Sequence, residues 1–237
     1  LNKLGLDGLD FLDLKNPKNS IHPKNPSLKA CTMIKSYVQE AHKQVLGLQL
    51  PTDPRWADLA QISLEAILTD HAYCEQKAAT ACISLIQSYP DKEELVKELA
   101  PIVTEEWGHF RLVWAELQKR GLKLGRQRKD EYVNKLLQFE NKTGDRDARL
   151  VEKLLICALI EARSCERFRQ LSLHIDDEHL KTFYHQFMVS EAGHYKLFIE
   201  LATLYGDEKA VRTRWKAFLE YEAEVMRHME VRGDRMH

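Results

Sequence analysis

The chain has 237 residues, 44% of them apolar and 30% charged, with 35 Lys and Arg against 36 Asp and Glu for a formal charge of −1. The length suits one large helical domain, and the charge content without any 18-residue apolar run argues against a membrane span. The even balance argues against a whole-chain basic field, so a nucleic-acid partner has to be met by a local patch.

The opening LNKLGLDGLDFLDLKNPKN has neither the basic start nor the apolar stretch of a secretory signal, so a cytoplasmic location is expected. Cys31, Cys74, Cys82, Cys157 and Cys165 form no CxxC pair and read as reduced thiols. Residues 1–28, with KNPKNSIHPKNP, have no period and read as loop, and 29–46 as a short helix. Residues 1–45 are therefore expected to form a partly irregular extension and 46–237 the folded domain.

LPTDPRW then supplies a helix start, with Asp53 as N-cap and Pro54 at the first helical position. A long helix is predicted from Pro54 to Ser88. SYPDKEE breaks it, with Asp91 as the next N-cap and Glu94 as its capping-box partner. The second helix runs to about Arg120, with a kink or break at Pro101, and Gly121 ends it. A polar connection follows over 121–146 with a short helix near 130–140. Helices over 147–173, 178–205 and 208–230 complete the chain, with no period-two strand signal. Four long helices with short, long and short connections make an all-α four-helix bundle with one long crossover, plus a C-terminal helix.

Each long helix carries an apolar seam with one glutamate at its middle. The four are Glu75, Glu106, Glu161 and Glu191, and the second and fourth helices add His109 and His194 three residues on, on the same face. Four buried carboxylates repel one another and lose hydration. Two divalent cations reverse that balance, and four carboxylates with two imidazoles offer them oxygen and nitrogen donors. This is the set of carboxylate-bridged iron sites in bundles, with one Glu from each of two helices and Glu-x-x-His from each of the other two. Heights agree: within each hairpin the two glutamates lie about 15 residues from the turn, roughly 22–24 Å away. TEEWGHF (104–110) and VSEAGHY (189–195) also repeat at an offset of 85 residues.

Other seam residues have quieter readings. Glu105 is an alternative to Glu106 but lies off the seam. Asp70 and Glu166 are expected to form ion pairs or contacts behind the ligands. His71 reads as a hydrogen-bonded core histidine, and Ser164 and Cys157, flanking Glu161, either line a pocket or are small residues that a crowded seam requires. The ligands alone do not separate iron from manganese, nor an oxygenase from an iron oxidase or peroxidase or from a bundle that binds metal without turnover.

The stretches ILTDHAYCEQKAA (67–79), EEWGHF (105–110), LIEARSCERF (159–168) and SEAGHY (190–195) resemble the MiaE family of tRNA hydroxylases, over about residues 46–205. Where family members often carry a second histidine before the liganding one, this chain has Gly108. The resemblance implies a ferritin-like diiron monooxygenase with two Fe ions held by Glu75, Glu106, His109, Glu161, Glu191 and His194. It also implies O2 as cosubstrate, an electron donor not identified by the sequence, and the isopentenyl group of 2-methylthio-isopentenyl-adenosine beside the tRNA anticodon as the target. KRGLKLGRQRK (119–129), with Lys119, Arg120, Lys123, Arg126, Arg128 and Lys129 and no acid, is either a solvated connection or a phosphate-contacting patch for the anticodon stem-loop. Arg163, Arg167 and Arg169 either contact phosphate or pair with Glu166 and other acids. A ferritin- or rubrerythrin-like iron oxidase or peroxidase is the alternative, though the CxxC module of a rubrerythrin is absent.

Overall fold

The computed structural model describes residues 46–53 and 55–237. The expected extension over 1–45 and the helix start at Pro54 lie outside the described residues. The folded unit spans Gln49–His237, and its described elements are seven helices without a strand.

α1 (Arg55–Ile62) and α2 (Leu64–Ser88) occupy the stretch predicted as one helix. The helix breaks at Ser63, whose N–H bonds the Ala60 carbonyl rather than continuing the ladder to Leu59. Gly233 explains the position of the break, because it presses on the backbone of Leu59 and Ala60 there. α3 (Glu93–Lys119) runs uninterrupted through Pro101, against the expected kink or break. Pro101 and Lys97, whose carbonyl loses its partner, both face water, which removes most of the cost. Asp91 does not cap α3: it pairs with Arg146 at 2.6 Å, while Glu94 pairs with Lys97 at 2.9 Å. The C-terminus of α3 follows the sequence reading. Gly121 adopts φ +68°, and Leu122 N–H reaches back to the Leu117 carbonyl in a six-to-one bond.

α4 (Glu131–Phe139) lies in the long connection and is capped by Asp130, which accepts from Val133 N–H. α5 (Arg146–His174), α6 (Glu178–Tyr205) and α7 (Glu208–His228) begin on Asp145, Asp177 and Asp207, each accepting backbone N–H bonds of its first turn. α2 packs along α3 and α5 along α6, each pair joined by a short turn, with the long connection crossing between pairs. This is the ferritin-like bundle. No helix among the described residues is long and apolar enough to cross a membrane.

Behind α5 the bundle is braced by Arg163, fully buried. It donates to Glu222 of α7 at 2.6 and 2.8 Å, to Glu166 at 3.1 Å and to the Leu50 carbonyl at 2.8 Å. Arg167 lies over the Trp56 ring at 4.2 Å. Both arginines are buried among protein groups, so of the two readings phosphate contact fails for them, and Arg163 pairs with Glu166 and Glu222 as the other reading had it. Glu166 forms the expected ion pair, and Thr52 also donates to it from its N–H and its hydroxyl. Cys82 and Cys165 are buried, and Cys74 and Cys157 half-buried, all as free thiols.

Candidate metal centre

The seam phase of the four long helices brings all six sequence-predicted residues to one level of the bundle. Ligand atoms of Glu75, Glu106, His109 and Glu191 lie within 4.8 Å of one another, and so do those of Glu106, Glu161, Glu191 and His194. Glu106 and Glu191 belong to both groups, so each group has one private carboxylate, one private histidine and two shared carboxylates. That is the topology of two adjacent cation sites bridged by two carboxylates.

Both histidines turn Nδ1 inward. His194 Nδ1 is 2.7 Å from Glu106 Oε1 and 3.3 Å from Glu191 Oε2. His109 Nδ1 is 3.4 Å from Glu106 Oε2, 3.5 Å from Glu75 Oε2 and 3.7 Å from Glu191 Oε1. Both Glu106 oxygens, His109 Nδ1 and Glu191 Oε1 are buried without a partner in hydrogen-bond geometry. Unpaired buried polar atoms of this density are costly, and cations at the two foci relieve the cost. The donor set fits a pair of divalent transition metals.

Close packing shifts the protonation of these groups. Burial pushes the Glu75 and Glu161 carboxyls well up, reinforced by the charges of Glu106 and Glu191 respectively. Burial alone would lower His109, but the Glu106 and Glu75 carboxylates outweigh it and raise it to about 10. His194 is raised in the same way against burial, by Glu105, Glu106 and Glu191. Glu106 goes the other way: burial would raise it, but the close approach of the His109 and His194 rings holds it low.

Glu105, placed off the seam by the sequence, has a part here. Its Oε2 lies 3.3 Å from His194 Nε2, and its Oε1 accepts from Ser190 Oγ at 2.6 Å. The approach of His194 sets its pKa down to about 2. His194 Nε2 has no partner in hydrogen-bond geometry, but the carboxylate beside it favours the ring orientation in which Nδ1 faces the centre. The signal was the adjacent Glu105–Glu106 pair, which a search along one seam discards. His71 is a core histidine, fully buried, whose Nε2 approaches Glu75 Oε1 to 2.6 Å. Burial, with the nearby His109, lowers its pKa and keeps it neutral.

Two different environments flank the centre. On one side His71, Phe168, Tyr184 and Phe187 pack ring against ring at 4.6–5.8 Å and close the bundle. On the other lies a cavity of about 130 Å³, walled by Ala78, Cys82, Cys157, Ile160 and Phe198 and reaching Glu75, Glu161 and Glu191. Ser164 and Cys157, flanking Glu161, line it as expected, and Lys77 and Asp130 stand at its polar side.

The basic connection begins at α3 and ends at that same Asp130. Three of its cations are engaged: Arg120 with Glu116 and Asp177, Arg128 with Asp234, and Lys119 with Glu116 at 4.0 Å. Lys123, Arg126 and Lys129 are exposed, and no ion pair is recorded for them among the described residues. Arg169 is half-buried on α5.

Residues 38–237 match the family model described as tRNA-(MS[2]IO[6]A)-hydroxylase (MiaE). A tRNA 2-(methylsulfanyl)-N(6)-isopentenyladenosine(37) hydroxylase from Pseudomonas putida is 37% identical, over 68% of this chain and 77% of the relative. A protein of the same description from Salmonella typhimurium is 26% identical, over 76% and 83%. Among solved structures, a Synechococcus protein described as having aldehyde deformylating oxygenase activity superposes with a TM-score of 0.75 at 31% identity, covering 80% of this chain and 94% of its own. With the family model spanning the whole of the folded unit, the chain belongs to the MiaE family of tRNA hydroxylases.

Proposed function

We propose that residues 46–237 form a diiron monooxygenase that hydroxylates the isopentenyl group of 2-methylthio-isopentenyl-adenosine beside the tRNA anticodon. Glu75 and His109 would hold one iron, Glu161 and His194 the other, and Glu106 and Glu191 would bridge them. When bound, the iron pair supplies two-electron activation of O2, with electrons from a separate donor. Overall, O2, two electrons and two protons convert one C–H to C–OH and release one water.

The observation that carries this reading is the cavity. An apolar space near 150 Å³ takes a benzene-sized molecule, so about 130 Å³ suits a branched five-carbon chain. Its floor is Glu75, Glu161 and Glu191, which brings an inserted alkyl end to the metal ligands. Cys82, Cys157 and Phe198 exclude water from that end, and the aromatic layer around His71 closes the opposite side. The purine stays toward the polar side, near Asp130, where Lys123, Arg126 and Lys129 follow in the connection and offer charge to phosphates. A tRNA substrate fits a cytoplasmic enzyme.

The test is O2 uptake by iron-loaded protein with a chemical reductant, in the presence of tRNA with or without the isopentenyl modification. Uptake that rises with modified tRNA only, matched by a one-oxygen gain on the modified nucleoside, is expected. Equal uptake with both, and no nucleoside product, would favour an iron oxidase or peroxidase.

A further inference from the structure

We propose that residues 229–237 form a fixed wall of the alkyl cavity and that His237 is the residue that sets which N6 substituent the cavity accepts. The proposal rests on the reading of that cavity as the seat of the isopentenyl chain.

Chain outside helices is usually loosely held unless something ties it down. This segment is tied at consecutive residues. Gly233 lies against α1 so closely that a Cβ there would sit 2.2 Å from the Leu59 carbonyl carbon. Arg128 donates to the Asp234 carboxylate at 2.8 Å and to its carbonyl at 2.7 Å. Trp56 Nε1 donates to the Arg235 carbonyl at 3.1 Å, and Met236 N–H to Asp70 Oδ2 at 2.9 Å. Asp70, expected to make contacts behind the ligands, is thus an anchor for this segment. Trp56 and Asp70 are both buried.

The result of this anchoring is the position of one ring. His237 is buried in the cavity wall with Nε2 2.9 Å from Ser164 Oγ, three residues along α5 from Glu161. Its Nδ1 is 3.6 Å from Asp130 Oδ2, and its face stacks on Tyr132 at 5.1 Å and 23°. Held from three sides, the ring has no room to yield. The α2 wall is built from small residues, Ala78, Ala81 and Cys82, which make the space. His237 is the large group that limits it. A nearby cluster of Cys74, Asp130 and His237 has metal-type residues, but Lys77 Nζ already occupies Asp130 at 2.6 Å, which favours a wall over an ion site.

The experiment measures calorimetric binding of N6-isopentenyl-adenosine and N6-benzyl-adenosine to zinc-loaded protein, in the parent, His237→Ala and His237→Gln. Zinc content and melting temperature serve as folding controls. The parent is expected to prefer the isopentenyl nucleoside. His237→Ala should shift the ratio toward benzyl by about tenfold, the range that a group of one or a few carbons commands in a hydrophobic pocket. His237→Gln, which keeps a hydrogen-bonding group of similar length, should retain most of the preference. On tRNA, His237→Ala should also spread hydroxylation over more than one carbon of the chain. An unchanged ratio in a folded His237→Ala, or no binding of either nucleoside by the parent, would overturn the proposal. A parent that binds and discriminates but never hydroxylates modified tRNA would sink the enzymatic reading and leave the wall standing.

Discussion

At the residue scale, sharing is the property that separates the six candidate ligands. Glu106 and Glu191 face both foci, whereas Glu75 faces one. Glu75→Ala should therefore leave a protein that retains one iron of the pair, while Glu106→Ala should empty both sites; iron counted per chain by atomic absorption distinguishes the two. Equal loss in both variants would remove the bridging assignment. Glu105→Gln removes the charge behind His194 and, on the usual scale for such outer partners, should weaken metal binding by about 10- to 100-fold. The protonation state gives a pH test. Because His109 is raised to about 10, a metal ion binding at pH 7 displaces its proton. Zinc titrated into weakly buffered apoprotein should thus release more than one proton per chain, as Glu75 and Glu161 are also raised. Affinity should climb with pH up to about 10. The sign for stability is opposite: a histidine raised above its unfolded value near 6.5 stabilises the metal-free fold fully below that pH and loses the contribution as pH rises through about 10. Zinc binding without proton release would contradict this charge state.

At the element scale, the helices were legible because each has a seam of period 3.6 and clear ends. α6 has the predicted bounds, and the Gly121 stop and the helix near Asp130 were found where the sequence put them. What the sequence hid was long-range. The break at Ser63 depends on Gly233, some 170 residues later, pressing on α1, and no local pattern around Ser63 marks it. Asp91 looked like a cap, but a partner far along the sequence, Arg146, took it. The seam also misled in one place: reading only one helix face set Glu105 aside, though His194 from another helix reaches it. Arg163 shows the same limit, since its partner Glu222 lies on α7. Breaking a buried ion pair on one side costs about 3–5 kcal/mol because the other charge is stranded. Arg163→Met should lower the unfolding free energy by that order in denaturant titration, with iron content per folded chain unchanged; a loss below about 1 kcal/mol would mean that water reaches Glu222.

At the scale of the whole molecule, the bundle divides its labour along its length. An aromatic layer seals one side of the centre, an apolar cavity opens the other, and the long crossover brings exposed cations toward the polar side of that cavity. Reversing Lys123, Arg126 and Lys129 to glutamate together should weaken tRNA binding and flatten its salt dependence by a slope of roughly 2, the value for three phosphate contacts. Iron content should not change. A parallel drop in affinity with the slope intact would move the RNA-binding face elsewhere. The most direct measurement of the central claim is a single turnover. Anaerobically reduced, iron-loaded protein is mixed with isopentenyl-modified tRNA and 18O2, and the nucleosides are read by mass spectrometry. One 18O on the modified adenosine per iron pair is the expected result. An unlabelled oxygen, taken from water, or no gain at all would contradict a monooxygenase at this centre.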